Sequence, residues 1–445
     1  MEKIIIEGGQ RLEGSIRCSG AKNAALPILI ATLLAPGEHR LTNVPALADV
    51  SHTLSLLGRI GCPSLYQDPA ESNGLSHLRV DTTRIAFCEA PYDVVRRMRA
   101  SVLVLGPLLG RCGEAKVSLP GGCAIGTRPI DQHLRGLEAL GCRFRLEGGY
   151  IHGVVGDLRG ADIALDMPTV TGTENILMAA VLARGITRIS NAAREPEIVD
   201  LADFLISLGA RISGAGTSTI TIEGVSRLSP ASRPYRILPD RIETGTYLCA
   251  AAATGGDITV TDTDPALLED VLVKLAAMGC EIETTATTIR CKADGPLKPI
   301  DLETEPYPGF PTDMQAQLTT LACIANGSSK VTETIFENRF MHVAELRRMG
   351  AEIAENGNTI DIDGTSLTAA SVMASDLRAS AALVIAGLVS EGLTEVLRIY
   401  HLDRGYEDLV GKLTGVGAII GRIDDAVTDR DAMHRSLHIR EVKSA

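Results

Sequence analysis

Apolar and polar positions along this chain follow one pattern that returns six times. Each copy reads as a helix of small apolar residues, a strand that alternates after a glycine, an amphipathic second helix ending at a Gly-Ala or Gly-Cys pair, and a closing strand. The pairs begin at Gly61, Gly141, Gly209, Gly279, Gly350 and Gly417. Their spacing of about seventy residues is the mark of an internal repeat. In the fourth copy, residues 243–253 predict the small-residue helix, Gly255-Gly256 stops it, and Asp257-Ile-Thr-Val-Thr alternates as a strand. The second helix is clearest in the third copy. There Pro196 and its neighbouring acids mark a start, and Ile198, Leu201, Leu205 and Leu208 fall on one face.

The first copy carries an extra stretch at 66–78, which reads as a surface loop. The two halves echo each other: Met98-Arg-Ala-Ser101 answers Leu377-Arg-Ala-Ser380, and Thr171-Gly-Thr173 answers Thr244-Gly-Thr246. A chain of 445 residues is too long for one ordinary core, so three copies per half is the natural division. The linker is placed at 227–236, where Pro230, Ser232 and Pro234 cluster. The expected domains are residues 22–232, carrying the loop around Cys123, and residues 1–21 with 233–423, the first strand crossing back to the second half. Residues 424–445 follow as a polar extension.

Composition narrows the function. A formal charge of −12, 3% aromatic residues and no Trp argue against nucleic acid as a partner. The longest apolar runs, 24–35 and 379–389, fall short of the roughly eighteen residues of a membrane span. The start, Met1-Glu-Lys-Ile-Ile-Ile-Glu, lacks the apolar core of a signal peptide, so a cytoplasmic protein is expected. Ten cysteines are present without a CxxC and companion His, so no zinc site is expected. Cys62, Cys142 and Cys280 fall in a slot that holds Ala at 210, 351 and 418, which suits a small buried residue.

Chemistry gathers on the stretch 118–131. Pro120-Gly121-Gly122 can continue neither a helix nor a central strand, which puts Cys123 at a loop tip. Arg128-Pro129 then opens a helix carrying Asp131, Leu134 and Leu137, with the arginine at its anion-attracting end. On this stretch alone a surface loop with an incidental cysteine remains open. Elsewhere the unusual polar residues recur at helix starts: Lys22-Asn23, Arg99, Asp313 and Arg378 at first helices, and Arg128, Arg194, Arg339 and Arg404 at second ones. One such charge is ordinarily a cap or a solvated group. The series predicts a cationic cleft for a multiply charged anion, and the planar arginine fork suits carboxylate and phosphate alike.

The motifs Ser19-Gly-Ala-Lys-Asn-Ala-Ala, Pro120-Gly-Gly-Cys-Ala-Ile-Gly-Thr-Arg-Pro, Asn191-Ala-Ala-Arg-Glu-Pro-Glu-Ile-Val-Asp, Phe310-Pro-Thr-Asp-Met-Gln-Ala-Gln, Phe336-Glu-Asn-Arg-Phe-Met-His and Asp403-Arg-Gly-Tyr-Glu are specific. Over residues 1 to about 423 the chain resembles the UDP-N-acetylglucosamine 1-carboxyvinyltransferase family, enolpyruvyl transferases akin to the shikimate-phosphate enzymes. The resemblance implies two inside-out α/β barrel domains, each of three βαβαββ-type repeats. It implies transfer of the enolpyruvyl group of phosphoenolpyruvate to the 3-hydroxyl of UDP-N-acetylglucosamine by addition and elimination, the first committed step of peptidoglycan synthesis. No metal or organic cofactor is implied.

On the matching positions, the resemblance makes Cys123 the proton donor to C3, the thiol that adds to phosphoenolpyruvate, and the target of fosfomycin. Asp313 would take or align the hydroxyl proton. Lys22, Arg128 and Arg404 would bind phosphate, and Arg339 and Arg378 the carboxylate or developing charge, with these assignments exchangeable. Asn23 would share that site. Arg99, Arg128, Pro129, Ile130, Asp131, Gln132 and Ile335 match sugar-nucleotide positions, with Asp131 suited to accept from uracil. Met167 stands where some members carry a Lys for the diphosphate. The alternatives are a shikimate-phosphate enolpyruvyl transferase and a silent paralogue that only binds sugar nucleotide.

Overall fold

The computed structural model describes residues 2–67, 76–96, 98–119 and 130–441. The chain forms two compact units. Among the described residues, one comprises 2–19 with 239–441 and the other lies within 20–238. The described residues form six four-stranded sheets, one per repeat. In repeat three, Asp162–Ala164 pairs in parallel with Ile186–Ser190, which pairs antiparallel with Thr219–Glu223, which in turn pairs antiparallel with Arg211–Ser213. The order of first, second, fourth and third strand is the same in every sheet.

The helices account for the inside-out arrangement. The first helix of repeat five, Gln315–Cys323, is buried at all nine positions, and those of repeats four and six, Arg241–Ala253 and Leu377–Val389, are buried almost throughout. A helix buried on every side belongs to an interior. The strands alternate exposed and buried residues, as in Ile186–Ser190, so each sheet keeps one face in solvent. The second helices lie between: Pro196–Ser207 starts at its proline and buries Ile198, Leu201 and Leu205.

The termini of the units close on themselves. Glu2–Glu7 inserts antiparallel between Leu393–Leu397 and Ile419–Asp424, completing repeat six. Glu13–Arg17 pairs in parallel with Asp257–Thr261, opening repeat four. Tyr235–Arg236 pairs in parallel with Leu41 and Thr42. The stretch 227–236, read above as linker, therefore supplies the first strand of repeat one, and a two-residue strand after prolines leaves no periodic trace in the sequence. The extra stretch of repeat one is also narrower than 66–78. Tyr66 pairs with Leu78 and Gln67 with His77 in a ladder, and 68–75 lie outside the described residues.

The polar extension is not merely polar. It forms the helix Arg430–Glu441, whose Met433 and Leu437 are buried against Ile5 and Leu393. Ile4 and Ile6 belong to the unit's core while Ile5 faces the other way, as strand alternation requires. The extension thus covers the outer face of the sixth sheet. Lys3 fixes its approach, donating through Nζ to the Val427 carbonyl at 2.6 Å and pairing with Glu395.

Candidate functional site

In the unit built from repeats four to six, Asp313, Arg339 and Arg378 come together. Asp313 lies in the 3-10 turn Thr312–Met314 that leads into Gln315–Cys323, and it caps neither. Its Oδ1 accepts from Arg339 Nη2 at 2.8 Å, and its Oδ2 accepts from Arg378 Nη2 at 2.9 Å and Nε at 3.1 Å. Arg339 and Arg378 are 5% and 2% exposed, whereas the Asp313 side chain is 27% exposed. The acid is therefore the accessible member of the trio. Burial works against the Arg378 charge, but Asp313, Tyr406 and Asp240 outweigh it and hold the guanidinium firmly protonated. Each arginine keeps its Nη1 buried without a hydrogen bond of good geometry among the described residues, although the Arg378 guanidinium approaches the Tyr406 hydroxyl. Two such donors suit a ligand oxygen, because leaving them unmade costs free energy.

Neighbouring groups fix this geometry. Asp376 caps the helix Leu377–Val389, accepting from Arg378 N at 2.8 Å and Ala379 N at 3.0 Å. The aromatic faces of Phe336 and Tyr406 lie 5.3 and 5.4 Å from the guanidinium carbons of Arg339 and Arg378, within cation–π range. Glu333, 2% exposed, accepts from the Ile335 and Phe336 amides and from the Thr304 and Thr312 hydroxyls. It ties Ile335 to the residue before Asp313. Arg404 ends the 3-10 turn Ile399–Arg404. Gly405 behind it packs so close to Leu377 that a Cβ would come within 2.6 Å of that side chain, which brings the turn to the start of the Arg378 helix.

In the other unit, Lys22 opens the helix Lys22–Ala31 with Asn23 beside it. The Lys22 ammonium lies 3.7 Å from the carboxylate of Asp49, which is 3% exposed. Arg99 begins the 3-10 turn Arg99–Val104 and is half-buried. Ile130 is the N-cap of the helix Asp131–Ala139. That helix is held by His133, whose Nδ1 accepts from Asn175 Nδ2 at 3.1 Å and whose Nε2 donates to Thr171 Oγ1 at 3.2 Å. Asn175 is itself oriented by the Gly106 amide, which donates to its Oδ1 at 2.7 Å. Burial, with the Arg99 charge, pushes His133 down to about 4, so the ring is neutral. Asp131 Oδ1 is buried with no hydrogen-bond partner among the described residues.

Gln132 holds the segment with the departure at Met167: its Oε1 accepts from Asp166 N at 2.8 Å and Met167 N at 3.4 Å. The Met167 side chain is 59% exposed, and Arg135 pairs with Asp166 at 2.7 Å. Cys123, Arg128 and Pro129 lie outside the described residues. Sequence reasoning passed over Glu333, Asp376, Asp49 and the His133–Asn175 pair. Their signal was faint, since a buried carboxylate or amide reads like a surface one until its backbone partners are known. Among the described residues no group of three or more His, Cys, Asp and Glu could hold a metal ion. None of their helices is long and apolar enough to cross a membrane.

Residues 6–413 match the family described as EPSP synthase (3-phosphoshikimate 1-carboxyvinyltransferase). The UDP-N-acetylglucosamine 1-carboxyvinyltransferase of Magnetococcus marinus is 55% identical over 425 residues, 95% of this chain and 100% of its own. That of Desulfovibrio desulfuricans is 57% identical over 425 residues, 95% of this chain and 99% of its own. Among solved structures, the enolpyruvyl transferase NikO from Streptomyces tendae gives a TM-score of 0.84 at 26% identity, covering 95% of this chain and 98% of its own. EPSP synthase from Acinetobacter baumannii gives 0.73 at 17% identity over 95% and 100%, a likeness of fold.

Proposed function

This chain belongs to the UDP-N-acetylglucosamine 1-carboxyvinyltransferases within the wider EPSP synthase family, and from that membership we infer its chemistry. It moves the enolpyruvyl group of phosphoenolpyruvate to the 3-hydroxyl of UDP-N-acetylglucosamine and releases phosphate. The hydroxyl oxygen bonds to C2 while C3 gains a proton. The tetrahedral adduct then loses that C3 position's proton and expels phosphate, restoring the double bond. Each stage needs a positioned acid or base.

Asp313 is the group to receive or align the hydroxyl proton, because an ionised carboxylate is acceptor-only and two buried arginines hold both its oxygens. That grip is the observation that carries the assignment. A fixed carboxylate needs no reorganisation as the proton moves. Cys123 is assigned the proton transfer to C3. Lys22, Arg128 and Arg404 are assigned the phosphate, with Asn23 beside them, and the spare Nη1 donors of Arg339 and Arg378 the substrate carboxylate. Arg99, the segment 128–132 and Ile335 are assigned the sugar nucleotide, the unpartnered Asp131 Oδ1 serving as the uracil acceptor. The same reading places the chain in the cytoplasm, at the first committed step of peptidoglycan synthesis.

Phosphate release from phosphoenolpyruvate, followed with each acceptor in turn, tests the reading. Release is expected with UDP-N-acetylglucosamine and not with shikimate 3-phosphate. The opposite pattern would make the chain a shikimate-type enzyme, and binding of the sugar nucleotide without any release would make it a silent paralogue.

A further inference from the structure

A second cluster of charge, apart from Asp313, surrounds Ser19. The Ser19 hydroxyl donates to Glu407 Oε2 at 2.5 Å and accepts from Lys412 Nζ at 2.6 Å. Its amide donates to Glu243 Oε2 at 2.7 Å, and Lys412 Nζ donates to Glu243 Oε1 at 2.6 Å. Glu243 is 1% exposed and Ser19 8%. Burial raises the Glu243 pKa, and the Lys412 charge opposes that rise. The Ser19 carbonyl accepts from the Asp240 amide at 2.9 Å, so Ser19 is also tied to the cap of the helix Arg241–Ala253. The Ser19 hydroxyl spends a donor and a lone pair on two charged partners, and such bonds are the strong ones.

The position along the chain gives this cluster its meaning. Ser19 stands three residues before Lys22, and Glu407 three residues after Arg404. Between Ser19 and Lys22 there is no slack, for a Cβ on Gly20 would meet the Asn43 carbonyl oxygen at 1.8 Å. We propose that Ser19 is a positioning residue of the reaction: through its bonds to Glu407 and Lys412 it seats the turn that carries Arg404, and through its own backbone it fixes the start of the segment that leads to Lys22. This rests on the reading above in which Lys22 and Arg404 bind the phosphate of phosphoenolpyruvate. Ser19 touches no substrate. Its effect passes through the two cations, so it should appear in the affinity for the anion and not in the affinity for the sugar nucleotide.

Steady-state kinetics on the full chain decide it. Ser19→Ala should raise KM for phosphoenolpyruvate about tenfold and leave KM for UDP-N-acetylglucosamine within about twofold, while Ser19→Thr, which keeps the hydroxyl, stays near the parent. Glu407→Gln should shift the same KM by less, and the double variant no further than Ser19→Ala alone, since the two act on one bond. An equal rise in both KM values, additive single effects, or Ser19→Thr behaving as Ser19→Ala would overturn the proposal. If Ser19→Ala does not fold, Glu407→Gln decides by the same split. Arg404→Ala separates the two layers of argument. Should it leave KM for phosphoenolpyruvate unchanged, the anion-binding reading fails and the proposal with it. Should it raise that KM while Ser19→Ala does not, the positioning role alone fails.

Discussion

Arg99 and Arg378 occupy the same slot in repeats two and six, each followed by Ala and Ser, yet the two arginines live in different surroundings. Arg378 enters a regular α-helix of 13 residues behind the Asp376 cap, is buried, and holds Asp313. Arg99 enters a 3-10 turn behind Met98, which provides no side-chain cap, is half-buried, and adds its charge to the burial that keeps His133 neutral. A repeat copies the slot, but the capping residue, one position before Arg99 and two before Arg378, sets the local backbone, and the partner contributed by a neighbouring repeat sets the charge. Arg378 is committed to fixing an acid. Arg99 stands beside a neutral ring at a more open position.

The comparison breaks most severely at Asp313. Asp313→Asn keeps one acceptor oxygen but removes the charge that Arg339 and Arg378 share, and both are buried. Turnover is expected to fall at least about a thousandfold, on the order of 4 kcal/mol, with UDP-N-acetylglucosamine still binding in calorimetry. Loss of a partner for two buried cations also lowers the thermal midpoint. Turnover within tenfold of the parent would show that the paired acid is structural and that repeat six holds no more chemistry than repeat two.

Acid sharpens the comparison at a smaller scale. His133, bonded to Asn175 and Thr171, and His342 are each pushed down to about 4 by burial. The His342 ring nitrogens have no hydrogen bond of good geometry among the described residues, although the ring approaches the Arg339 carbonyl. An unfolded histidine titrates near 6.5, so between pH 6.5 and 4 the unfolded chain binds more protons than the folded one, and stability falls as pH falls through that window. Each ring contributes up to about 3 kcal/mol of that loss. Urea unfolding at pH 7.5 and 4.5 checks it. His342→Phe should lessen the acid loss at little cost at pH 7.5, whereas His133→Phe should cost stability at both, because Asn175 and Thr171 lose their partner. Identical behaviour of the two variants would remove the distinction.

How much of this was legible in the sequence differs between fold and site. The repeat showed in the glycine pairs, and the stripe Ile198, Leu201 and Leu205 is buried as its spacing demands. Slot logic put Asp313, Arg339 and Arg378 at helix starts. It did not show that one acid would bind both arginines, because that contact joins residues 26 and 65 positions apart, and nothing local encodes it. The roles came from the family motifs, not from periodicity. The strand Tyr235–Arg236 is too short to alternate, and the helix Arg430–Glu441 hides two apolar anchors, Met433 and Leu437, in a polar sequence. Glu333 and Gln132 act by accepting backbone amides, and a side chain that does so carries no pattern of its own.

The finest test concerns the cap itself. Asp376→Ala removes two hydrogen bonds, to the Arg378 and Ala379 amides, and loss of an N-cap costs about 1 kcal/mol. The first turn of Leu377–Val389 then has only packing to hold it, which is the condition already met by Met98 in repeat two. Thermal denaturation should register a fall of a few degrees. Turnover should drop severalfold as Arg378 loosens on Asp313, while Asp376→Asn, which keeps a capping oxygen, should recover most of both. If Asp376→Ala leaves midpoint and turnover unchanged, packing alone seats Arg378, and the contrast between the two arginines must come from Asp313 and not from the residue that precedes the helix.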